Sequence, residues 1–128
     1  MKNDLLLLQY CCVDILKIVK PVEIRLIQKV NKKPYCDFAG WYESRTRMGK
    51  VYKHLIFVNL NQVLLSDFDL YGVIAHEFIH VHQTEYGGLK QGNYHGEYFQ
   101  KVANVLEHYL TNTGFDTGPL YSPLTDTD

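Results

Sequence analysis

The chain carries His76-Glu77-Phe78-Ile79-His80, and a third histidine, His95, follows fifteen residues after the second, within Tyr94-His95-Gly96-Glu97-Tyr98-Phe99. Positions four apart on a helix project from successive turns on one face, so His76 and His80 can hold one metal ion. Glu77 is rotated just enough from them to reach a water on that ion. This is the pattern of a zinc-dependent hydrolase. With six His and six Glu in 128 residues, it would arise at random with a probability of roughly one per cent, so its setting has to add weight.

That setting reads as a helix. Ser66 followed by Asp69 suggests a capping box, and Leu70, Val73, Ile74, Phe78 and Val81 recur at helical spacing on the side away from the imidazoles. A helix of about 16 to 18 residues is expected, ending before Gly87-Gly88. A hydrolytic zinc takes three protein ligands and leaves a fourth position for water. A metzincin would need Gly at position 83 and His at 86, where the chain has Gln83 and Tyr86. A gluzincin would draw on Glu97 or Glu107. His95 is the stronger third ligand, because Gly87, Gly88, Gly92 and Asn93 can fold the chain back over the metal and Gly96 permits close backbone approach. In the expected chemistry Zn²⁺ lowers the pKa of its water and stabilises the oxyanion of a peptide carbonyl. Glu77 acts as general base and returns the proton to the leaving amine.

HEFIH, the fifteen-position spacer and His95-Gly96-x-x-Phe99 together resemble the SprT-like zinc metallopeptidases, the group that includes the Spartan-type protease domain. Upstream, Phe38-Ala39-Gly40-Trp41-Tyr42 and Leu55-Ile56-Phe57-Val58-Asn59-Leu60 are similar to the hairpin that precedes the metal helix in that family. The resemblance spans roughly residues 22 to 110. It implies a zincin-like fold, a zinc metalloprotease activity on protein substrates and a link to DNA-associated proteins. No cysteine-rich zinc ribbon of the kind many members carry is found in this sequence, so a minimal form is expected.

Composition agrees with one small domain: 46% hydrophobic, 13% aromatic and a formal net charge of -1. Cys11, Cys12 and Cys36 are odd in number and lack CxxC spacing, which predicts reduced packing residues in a cytoplasmic protein. Lys2 and Leu5 to Leu8 resemble the start of a signal peptide, but Gln9, Asp14 and Lys17 interrupt the run and no small-residue cleavage site follows. No apolar run is long enough to span a membrane, and a monomer is expected.

The order of elements predicts an α+β fold. Asn3 can cap a helix from about residue 4 to 20, closed by Pro21, with Leu5, Leu8, Cys12, Ile15, Leu16 and Val19 as its core stripe. Residues 22–30, 35–43 and 50–60 read as strands, the last covered on both faces, with a loop from Arg45 to Gly49. A strand edge within Lys50 to Leu60 is expected to hold an extended substrate by backbone pairing. Phe99, Val102, Ala103, Leu106 and Leu110 predict a support helix. The domain is expected to close at residue 111, with residues 112–128 as a loosely held tail.

His82 points about 200° away from His80, and His54 and His108 lack ligand spacing, so surface or hydrogen-bonded roles are expected for them. Tyr94 and Tyr98 flank the third ligand and read as packing residues. Residues 29–53 carry Lys29, Lys32, Lys33, Arg45, Arg47, Lys50 and Lys53 against only Asp37 and Glu43, interleaved with aromatics. Arg45, Arg47, Lys50 and Trp41 are accordingly candidate DNA contacts, through phosphates and base stacking. The alternative function is a zinc-stabilised DNA- or protein-binding module, or a regulatory peptidase-like protein without general proteolysis. Glu77 argues against it, since a structural zinc needs no general base.

Overall fold

A computed structural model describes residues 2–87 and 94–120, with side chains from Asp4 onward. The expectations for an Asn3 cap, for turns at Gly88, Gly92 and Asn93, and for residues 121–128 lie outside what is described. The fold is mixed α+β. Helix α1 (Lys2–Leu16) leads into strand β1 (Val22–Ile27), then a 3₁₀ turn (Tyr35–Asp37) and the hairpin β2 (Gly40–Arg47) and β3 (Lys50–Asn59). Three helices follow: α2 (Leu60–Leu65), α3 (Leu70–Tyr86) and α4 (Glu97–Asn112).

Helix α1 ends a turn earlier than its pattern suggested. Lys17 takes a positive φ of 55°, and the Ile18 N–H bonds the Val13 carbonyl at 3.0 Å, a reversal that tucks Ile18 into the core and leaves Val19 in solvent. Leu8, Cys12 and Leu16 of the expected stripe are buried. Burial pushes the Cys12 thiol far up, with Cys11 beside it adding to the effect, as suits an inert packing residue.

The sheet order is β1-β3-β2, with β1 parallel and β2 antiparallel to β3. Strand β3 is therefore central, and Leu55, Ile56, Phe57 and Val58 are all buried, Ile56 and Val58 against the helices and Leu55 and Phe57 in a second cluster with Trp41. The central position corrects one expectation. Both edges of β3 are already paired, so it cannot accept a substrate strand, and among the described residues the edge beside α3 that is left unpaired belongs to β2. The expected strand at 35–43 starts late, because Tyr35–Asp37 coil into a 3₁₀ turn that packs the Tyr35 ring 4.8 Å from Trp41. The expected loop at Arg45 to Gly49 narrows to Met48-Gly49, with φ of 54° and 78°, the two positive values of a type I′ hairpin turn.

Trp41 is 8% exposed, stacks on Phe57 with ring centroids 4.9 Å apart and donates Nε1–H to Glu43. Its ring is core and cannot stack on a base without unfolding the hairpin, which corrects its place among the DNA contacts. Trp41→Ala is expected to lower unfolding free energy by about 3 to 5 kcal/mol, read from a denaturant midpoint.

Ser66 does not cap the metal helix. It terminates α2, Asp67 turns the chain with a positive φ, and Asp69 caps α3 by accepting the Gly72 N–H at 2.9 Å. At the other end Gly87 adopts the left-handed conformation that ends the helix, so α3 runs 17 residues, within the expected length. Among the described residues no helix is long and apolar enough to cross a membrane.

The expected loose tail also needs correction. Phe115 and Leu120 are buried in the main core and Thr117 is 6% exposed, so residues 113–120 run back over α3 and α4 as a packed strap. The apolar residues are spaced too irregularly to register as an element, yet each finds a hole between the helices.

Candidate metal centre

Helix α3 is buried continuously from Val73 to Val81, so His76 and His80 sit in an apolar interior rather than on a solvated face. His76 is 2% and His80 4% exposed. Gly96 opens α4 and leaves His95 one residue before it, where its ring meets theirs. The Nε2 atoms of His76 and His80 each lie 3.2 Å from Nε2 of His95, and one nitrogen from each of the three lies within 4.8 Å of the others. Tetrahedral zinc with Zn–N bonds near 2.0–2.1 Å would set such nitrogens about 3.3 Å apart. The three residues can hold a metal ion.

Two neighbours fix which nitrogen faces the centre. His76 Nδ1–H donates to the Leu120 carbonyl at 2.9 Å, and His80 Nδ1–H donates to Gln83 Oε1 at 2.7 Å. Both acceptors demand the Nδ1–H tautomer, leaving the Nε2 lone pairs turned inward as ligands require. Gln83 is itself fully buried and held by donating to the Tyr94 carbonyl at 2.8 Å, just before His95. Beneath the cluster Phe99, fully buried, places its ring centroid 4.8, 5.2 and 4.9 Å from the rings of His76, His80 and His95. It forms an apolar floor.

Glu77 is 2% exposed and faces the start of β2. The contact depends on Gly40, where an added Cβ would stand 2.7 Å from Val73 Cγ1 and 3.5 Å from Glu77 Oε2. Any side chain at 40 would force the strand off the metal helix. A cleft of about 350 Å³ opens beside His80, lined by Tyr35, Phe38, Tyr94 and the consecutive β2 residues Trp41 to Ser44. Side chains of a strand alternate between faces, so a cleft bordered by four in a row follows the strand's open edge.

The alternative ligands and the remaining histidines have different work. Glu97 is 82% exposed and pairs with Lys101, and Glu107 binds the Leu120 N–H. Neither joins the cluster. Tyr98 meets His82 Nδ1 at 2.7 Å, while His108 is exposed beside Asn112. His54 is fully buried, with Nδ1 2.7 Å from the Tyr42 hydroxyl and Nε2 2.8 Å from Glu85. Burial pushes the Glu85 carboxyl up, but the N–H groups of Val19 and Lys20 and the His54 ring outweigh it and hold the carboxyl below the usual glutamate range. A carboxyl lowered in the folded state adds stability above its unfolded pKa and loses it as pH falls through the folded value. Glu85→Gln should therefore cost about 1 to 3 kcal/mol at pH 7, since an amide cannot accept from all three donors. The gap to wild type should narrow when the pH is taken from 7 to well below the usual glutamate range. Urea melts at the two pH values test this.

The basic hairpin is partly neutralised. Arg45 pairs with Glu43 at 2.8 Å, and Lys53 and Arg25 both pair with Glu23, whose carboxyl they lower to about 2. Arg47 lies over the Tyr52 ring at 4.8 Å and, with Lys50, sits at the hairpin tip. At strand spacing the tip is roughly 20 Å from Gly40. Arg47 and Lys50 thus lie far along the hairpin from His76, His80 and His95.

Compared with family models, curated proteins and solved structures, the chain has no match among them.

Proposed function

We propose that this chain is a small SprT-like metallopeptidase of zincin-like fold that hydrolyses peptide bonds in protein substrates. In this reading Zn²⁺ is held by His76, His80 and His95, and Glu77 is the general base. The observation that carries the proposal is that the Nε2 atoms of His76 and His80, both committed to the ligand tautomer on the helix that also holds Glu77, each lie 3.2 Å from Nε2 of His95. Neutral imidazoles favour zinc and similar borderline ions over calcium or magnesium. Three protein ligands is the number a catalytic zinc takes, and the described residues supply three.

When bound, the ion supplies positive charge that acidifies water and polarises a carbonyl. Glu77 accepts the proton released as water adds to the peptide carbonyl, then delivers it to the departing amine. Phe99 and the flanking core keep bulk water from the ligands, which strengthens their electrostatics. The outer edge of β2, unpaired among the described residues, offers backbone N–H and C=O groups to an extended peptide lying in the cleft beside His80, a contact that reads little side-chain identity.

The test is cleavage of an unfolded protein such as denatured casein by the purified chain, with a chelator and with zinc restored. Cleavage should stop with chelator and return with zinc. Cleavage that persists in metal-free protein would count against the reading. A fully zinc-loaded chain that cuts no unfolded protein would favour the binding-module alternative.

A further inference from the structure

We propose that the strap of residues 113–120 is a clamp that holds the metal ligand His76 in its binding tautomer, with Glu107 and Leu120 as its positioning residues. The inference rests on the reading that His76, His80 and His95 hold a metal, and it adds what governs how tightly they do so.

The strap is tied to the metal helix along its length. After α4 the chain reverses at Gly114, whose φ is +97°, and the Phe115 N–H bonds the Leu110 carbonyl at 2.8 Å. Phe115 packs edge-on against Tyr71 with centroids 5.6 Å apart. Two residues on, the Thr117 carbonyl crosses Gly72 so closely that a Cβ there would lie 2.7 Å from it. Leu120, 2% exposed, is pinned on both sides: its N–H donates to Glu107 Oε1, and its carbonyl accepts from His76 Nδ1.

A ligand histidine needs its second nitrogen to donate if the first is to keep its lone pair, and outer partners of this kind change metal affinity by roughly 10- to 100-fold. For His80 the partner is Gln83, on the same helix and three residues away. For His76 it is a backbone carbonyl 44 residues distant, so its position depends on the whole strap being seated. Seating and metal binding must then favour each other equally, because coupling between two equilibria is reciprocal. Lifting the strap would free the His76 ring to rotate or change tautomer. Conversely, a metal on Nε2 would hold Nδ1–H toward Leu120 and keep the strap down.

The experiment compares the full-length chain with Glu107→Gln, whose amide oxygen can still accept the Leu120 N–H, and Glu107→Ala, which cannot. Zinc affinity is read by competition with a chromophoric chelator, the His76 tautomer by ¹⁵N ring shifts in the zinc-free protein, and strap opening by amide hydrogen exchange in residues 115–120 with and without zinc. Glu107→Ala should bind zinc roughly 10- to 100-fold more weakly and show a mixed His76 tautomer, while Glu107→Gln stays close to wild type. In wild type, zinc should slow exchange in the strap. Equal affinity and tautomer in wild type and Glu107→Ala overturn the clamp alone. If Glu107→Ala fails to fold, the wild-type comparison decides: strap exchange indifferent to zinc also overturns the clamp. A wild-type chain that takes up no zinc overturns the metal site and the clamp together.

Discussion

Glu77→Gln is expected to keep its fold and its metal while peptide cleavage falls roughly 100- to 10,000-fold, the usual worth of a positioned general base. In energy that is about 3 to 5 kcal/mol of transition-state stabilisation. The amide has nearly the same shape as the carboxylate, so the buried site beside Gly40 should accept it without rearrangement. It cannot take a proton from water at neutral pH. Metal content and initial rates on an unfolded protein, measured on matched preparations, check both halves of the expectation. Equal rates would remove Glu77 from the chemistry.

Replacing any one of His76, His80 or His95 by Ala should cost the site its metal in the presence of a chelator. A four-ligand zinc site in a small domain is worth roughly 10 to 16 kcal/mol, so one ligand is worth about 3 kcal/mol, or about 100-fold in affinity. His76→Ala carries a second cost, because the Leu120 carbonyl loses its donor inside a dry core. Its melting temperature should fall further than that of His95→Ala, whose ring is only half-buried. Full occupancy in His95→Ala would mean that another residue supplies the third ligand, although Glu97 and Glu107 are both engaged elsewhere.

The ligand triad was legible because two of its members depend on helical periodicity, a local property, and the third on a turn-rich spacer followed by glycine. The central apolar run of β3 and the length of α3 were legible for the same reason. Other features depend on which distant segments meet. Nothing near Leu120 marks it as the partner of a histidine 44 residues away, and its neighbours Thr117, Gly118 and Pro119 read as loop. A hydrogen-bonded role was one of two open to His54, but its partners were not legible: they follow from β3 being the central strand, which buries the ring and brings it to Glu85 on α3.

Where pattern and structure diverged, the competing physics is identifiable. Trp41 and the cations around it have the composition of a nucleic-acid surface, but an indole gains more from Phe57 and the sheet than from solvent. Helix α2 has six residues, too few for its period to emerge, and only Val63 among them is buried. Ser66 lost the capping role to Asp69 because the turn at Asp67 starts the helix later. Gly40 carried a signal that composition could have offered, a glycine beside aromatics at the head of a strand, where close approach of another element is a standing explanation.

A three-histidine metal with a fourth position left for water would show itself in zinc content together with zinc K-edge X-ray absorption on the full-length chain. One zinc per chain is expected, with three nitrogen scatterers and one exchangeable oxygen near 2.0 to 2.1 Å, and loss of that signal in His76→Ala, His80→Ala and His95→Ala. A chain that binds no zinc, or one whose zinc has four protein ligands and no exchangeable position, would contradict that expectation.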